Sequence, residues 1–152
     1  MAADTDADPT AAEPDPRPAP TIKPVFLYDG DCSFCTTCAT FIDRRIPTRA
    51  QVAPWQFSDL DRLGVTQEEV EAAVVWVEPG RPPAHGPEGI ARLLVDGRGI
   101  WRPLGRVLGL RPVLWAAWPV YRWMARNRHR LPGGTATCSL PQAERERQRA
   151  AG

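Results

Sequence analysis

Cysteine is scarce in this chain, four in 152 residues, too few for the disulfide framework of a small secreted domain. Three of the four, Cys32, Cys35 and Cys38, fall within one seven-residue window, which points to a local site instead. No apolar run comes near the roughly 18 residues of a membrane-spanning helix. The first residues lack the basic start and apolar block of a secretory leader. Together these absences predict a cytoplasmic protein. Histidine occurs only as His85 and His129, at no ligand or nucleophile spacing, and neither is assigned a role. Acid is missing between Gly97 and Ala143, where eight arginines occur, whereas residues 1–20 hold five acids against Arg17 alone. A net charge of +1 gives no global case for a nucleic-acid or membrane binder.

What is present supports one ordinary core, with 43% of residues hydrophobic. Residues 1–22, rich in Ala, Asp, Pro and Thr, read as a disordered tail. Lys23 to Asp29 reads as a buried strand closed by Asp29-Gly30. A helix follows from Cys32 to Arg45, with Cys35, Cys38, Phe41 and Ile42 on its apolar face, and Pro47 ends it. Gln51 to Phe57 is a second strand carrying Val52, Trp55 and Phe57, and Pro54 predicts an edge position or a bulge. Ser58 to Leu63 reads as a short helical turn. Thr66-Gln67-Glu68-Glu69 is a capping box ahead of a short helix. Ala73 to Glu78 is a strand, turned at Pro79-Gly80 into a shorter one over Arg81 to His85. Gly86-Pro87 then starts a helix through Leu94.

That order predicts an α/β fold, a four-stranded mixed sheet flanked by helices, as in a thioredoxin-like core. The cysteines then sit after the first strand, at the sheet edge where open α/β sheets place their chemistry. Beyond Gly97 an added C-terminal helical segment spans 103–130, with helices near 104–109 and 112–130 and a kink expected at Pro119. Leu114, Trp118, Tyr121 and Ala125 share one face of the longer helix, and Arg122, Arg126 and Arg130 form a separate stripe. Pro132-Gly133-Gly134 ends the ordered part, and Glu144 to Arg149 reads as a frayed polar tail. The domain organisation is thus a tail at 1–22, one domain at 23–131 and a flexible tail at 132–152.

Two cysteines separated by two residues at a helix start suit thiol–disulfide exchange. Only a thiolate attacks a disulfide, and unpaired N–H groups at a helix N-terminus favour that charge. Cys32 lies nearest the helix start and is expected to attack. Cys35, one turn in and less exposed, is expected to resolve the mixed disulfide. Asp29 is a candidate to take the proton as the resolving thiol ionises. The same residue equally fits the Asp-Gly turn or a helix cap, a role for which Asp31 competes.

With Asp29, Cys32 and Cys35 spaced D-x-x-C-x-x-C, the sequence resembles the DCC family of thiol-disulfide oxidoreductases. The likeness runs from about Val25 to Arg130. It includes Tyr28-Asp29-Gly30, the helix start at Gly86 and the closing Tyr121-Arg122-Trp123-Met124-Ala125-Arg126-Asn127-Arg128. The resemblance implies a thioredoxin-like fold, protein-disulfide reductase activity, and Asp29, Cys32 and Cys35 as the site. Three departures stand out. Ser33 replaces the family's frequent proline after the first cysteine, and Gly89 stands at a common alanine. No proline precedes the strand at Ala73 and Val74, where thioredoxins carry a cis-proline.

The expected function is therefore a dithiol oxidoreductase that needs no cofactor. Its partners are a disulfide-containing protein or small molecule and an external reductant. The alternative is a zinc or iron–sulfur protein using Cys32, Cys35, Cys38 and Cys138, against which Cys38 reads as a small buried hydrophobe. The arginine-tryptophan segment offers membrane-surface contact, but the favoured reading packs its aromatics on the sheet and leaves its arginines solvated. No nucleic-acid partner is expected.

Overall fold

The computed structural model describes residues 23–134 and 142–151. Strand β1 (Val25–Tyr28) leads into helix α1 (Ser33–Arg45), which crosses over to β2 (Gln51–Pro54). A 3-10 turn at Trp55–Phe57, a short helix α2 (Leu60–Leu63) and α3 (Gln67–Ala72) follow. Strands β3 (Val75–Val77) and β4 (Ala84–His85) form a hairpin that runs directly into α4 (Gly86–Asp96). Helices α5 (Trp101–Leu108), α6 (Arg111–Asn127) and α7 (Gln142–Ala151) complete the described chain. The sheet order is β2-β1-β3-β4, with β1 parallel to β2 and antiparallel to β3, and β3 antiparallel to β4. This is the expected four-stranded mixed sheet with flanking helices, a thioredoxin-like arrangement.

Alternation along β1 divides the core between the sheet's two faces. Leu27 packs with Val75, Trp55, Val65 and Val70, while Phe26 packs with Trp76, Ala84 and Leu93. The first cluster is roofed by Leu60 and Leu63 of α2, the second by Ile42 of α1 and Ile90 of α4. Trp76 is only 1% exposed, and burying a side chain of that size contributes about 2–3 kcal/mol.

Elements came out shorter than the apolar pattern suggested, for local reasons. Strand β2 lies at the sheet edge, as Pro54 implied, but stops there. The chain turns into the 3-10 segment, which buries Trp55 and leaves Phe57 91% exposed. On α1 the inward stripe is Cys35, Ala39, Ile42 and Ile46. Cys38 and Phe41 fall off that stripe and are exposed, which corrects the reading of Cys38 as a buried hydrophobe. Phe41 instead meets Trp101 edge-on at 6.1 Å between ring centroids.

The C-terminal segment begins earlier than expected, at Trp101, and α6 ends at Asn127 with Pro119 inside it. Leu114, Trp118, Tyr121 and Ala125 are half-buried along one face of α6, and Arg122, Arg126 and Arg130 are exposed. Packing does not take up all the aromatics, because Trp115 is 83% and Trp123 54% exposed. Residues 142–151, expected as a polar tail, form helix α7, whose Arg149 pairs with Asp31. Among the described residues no helix is long and apolar enough to cross a membrane.

Candidate dithiol site

The site forms where β1 ends and α1 begins. Asp29 follows the last residue of β1, and its Oδ1 accepts from the Asp31 N–H at 3.0 Å. This Asx turn bends the chain towards the helix. Gly30 is required by close approach, since a Cβ there would lie 2.6 Å from the Pro54 Cβ. Gln56, just beyond β2, pins the turn from the side. Its Oε1 accepts from Gly30 N–H at 3.0 Å and its Nε2 donates to Asp29 Oδ1 at 2.8 Å.

Neither Asp29 nor Asp31 caps the helix. Cys32 does, in extended conformation, with its Sγ accepting from the Cys35 N–H at 3.5 Å. The Cys32 sulfur thus sits at the positive end of α1, where the dipole and the Cys35 N–H would favour negative charge on that sulfur once it is reduced. Cys32 is disulfide-bonded, whereas Cys35 and Cys38 are thiols. Exposure runs opposite to expectation: Cys32 is 0% exposed and Cys35 is half-buried. The capping geometry turns the Cys32 side chain back over the helix start, while Cys35 faces a cavity.

That cavity, about 220 Å³, is walled by Asp29, Cys35, Val74, Tyr121, Ala125 and Arg128. Arg128, just past the end of α6, reaches back into it. Its Nη1 donates to Cys35 Sγ at 3.6 Å and its Nη2 lies 3.7 Å from Asp29 Oδ2. The Tyr121 hydroxyl accepts from the Val74 N–H at 3.0 Å. Burial raises the Tyr121 hydroxyl above its ordinary value, against the Val74 hydrogen bond, and the Cys35 sulfur adds to the rise. Cys38 is exposed, but the partial desolvation that its neighbours impose still raises its thiol, and the Cys35 sulfur adds to that.

Asp29, Cys32 and Cys35 are therefore together, and Cys38 stands apart on the outer side of α1. Cys138 lies outside the described residues. Among the described residues no group of three or more His, Cys, Asp or Glu is arranged to hold a metal. Three participants escaped the sequence reading: Gln56, Tyr121 as a hydroxyl, and Arg128. Tyr121 and Arg128 belong to the quoted aromatic, basic end, and Arg128 lies off the regular arginine stripe. That irregularity was the available signal. Gln56 carried none.

A family model described as DCC1-like thiol-disulfide oxidoreductase matches residues 26–134. The chain belongs to that family. No curated protein and no solved structure gave a significant match.

Proposed function

We propose that this member of the family reduces disulfides of proteins or small molecules through a Cys32–Cys35 dithiol. The Cys32 thiolate attacks a substrate disulfide, forming a mixed disulfide and expelling one substrate thiolate, which takes up a proton. The Cys35 thiolate then attacks the Cys32 sulfur, closing Cys32–Cys35 and releasing the second substrate sulfur. An external thiol reductant returns the two electrons. Asp29 takes the Cys35 proton as that thiol ionises. No metal or organic group is needed for any step. A reducing compartment such as the cytoplasm would keep the dithiol charged with electrons.

The observation that carries this reading is the pairing of a helix-capping Cys32 with a cavity-facing Cys35 thiol one turn later, inside the family match. Pre-reduced Cys35→Ser protein should trap a disulfide substrate such as oxidised insulin as a mixed disulfide. Adding Cys32→Ser should abolish trapping. Failure of Cys35→Ser to trap anything overturns the assignment.

A further inference from the structure

We infer that Arg128 is a positioning residue of the dithiol site, its guanidinium favouring ionisation of the Cys35 thiol and turning the Asp29 carboxylate towards it. One planar fork spans two partners from different elements: Cys35 in the first turn of α1 and Asp29 at the end of β1. A lysine offers a point charge and would serve one of them less well. The arrangement is sheltered, with 18% of the Arg128 side chain and 9% of the Asp29 side chain exposed. A carboxylate and a thiolate in that space repel each other unless a cation lies between them.

Among the described residues, the other charged or titratable groups that face Cys35 are less suited to this role. Asp29 and Glu71 on the cavity wall are acidic and oppose a thiolate, and Tyr121 is held neutral by burial. Arg126 lines the same cavity but is exposed on the solvent stripe. On α1 itself, Cys38 is pushed towards its neutral form and the Cys32 sulfur is disulfide-bonded. The use made of the Cys35 thiolate rests on the dithiol reading. Arg128 itself exchanges no electrons or protons: it lowers the cost of the charge that attacks Cys32.

The test reads Cys35 alone, in the full chain carrying Cys32→Ser, Cys38→Ser and Cys138→Ser. The rate of alkylation by iodoacetamide, followed by mass spectrometry across pH, gives the thiolate midpoint. With Arg128 present it should lie below the ordinary cysteine value of about 8.5. Arg128→Met should raise it by about one pH unit, and Arg128→Lys should recover part of that shift. Circular dichroism shows whether each variant is folded. Should the Met variant unfold, the comparison of Arg128→Gln with Arg128→Lys decides. A midpoint unmoved by loss of the charge in folded protein overturns the assignment. Mixed-disulfide trapping on Cys32 is scored separately. Its failure alongside an Arg128-dependent midpoint would sink the dithiol reading and leave the role of Arg128 standing.

Discussion

Asp29 shows how two readings of one residue divide between its two oxygens. Oδ1 serves the turn, accepting from Asp31 N–H and from Gln56, while Oδ2 faces Arg128 and the Cys35 cavity. Asp29→Asn keeps an acceptor for the turn but removes the carboxylate proposed as the base. The resolving step should slow by about 10²-fold near neutral pH, and its rate should follow the ionisation of Cys35 alone. Stopped-flow release of substrate thiol across pH measures both, and an unchanged profile would restrict Asp29 to the turn. Tyr121 joins the site to the sheet through its acceptance of the Val74 N–H. Tyr121→Phe leaves that amide without its acceptor and should cost about 1–3 kcal/mol in urea unfolding.

At the scale of elements, caps and close approaches decide boundaries that apolar patterning leaves open. The capping box was legible because its chemistry is local: Thr66 Oγ1 accepts from Glu69 N–H, and Glu69 Oε2 accepts from Thr66 N–H at 2.7 Å. Helix α3 therefore starts where the sequence places it. The α4–α5 contact was illegible, since it depends on how closely two helices cross. A Cβ on Gly105 would lie 2.6 Å from Val95 N and 2.7 Å from Ala91 O, both backbone atoms that cannot rotate away. Gly105→Ala should therefore destabilise the fold by about 1–3 kcal/mol through overpacking, read as a lower melting temperature. Gly89 has the same constraint against the β3–β4 hairpin, where a Cβ would meet Ala84 O at 2.8 Å.

Across the whole molecule, Asp96 ties the end of α4 to the segment that enters β2. Its Oδ2 accepts from Thr48 Oγ1 at 2.7 Å and from Arg49 N–H at 2.8 Å, and Arg49 also pairs with Oδ1. Burial alone raises the Asp96 carboxyl, but the hydrogen bonds from Thr48 and Arg49 outweigh it and leave it below the ordinary 3.8. The folded state thus holds this proton less tightly than the unfolded chain. The stability it contributes is whole above pH 3.8 and is lost as pH falls through the lower folded value. Asp96→Asn should be less stable than the parent protein at pH 7, and the gap should close as pH drops below about 4. Unfolding curves at both pH values test this, and a gap that persists in acid would assign the effect to shape.

The sequence by itself determined the strand–helix–strand order, the Asp29-Cys32-Cys35 spacing and the cap of α3, because each depends on neighbours a few residues apart. It also carried the family through the same local motif. Only the tertiary structure decided which cysteine is sheltered and what surrounds the other. The Cys32 cap turns its sulfur inward, the off-stripe placement of Cys38 puts it outside, and the packing of α6 brings Arg128 back to Asp29 and Cys35. Arg128 is 93 residues from Cys35 in the chain, a separation that no local periodicity spans. Charge in this site is set by groups that meet only when the sheet and its last helices have packed.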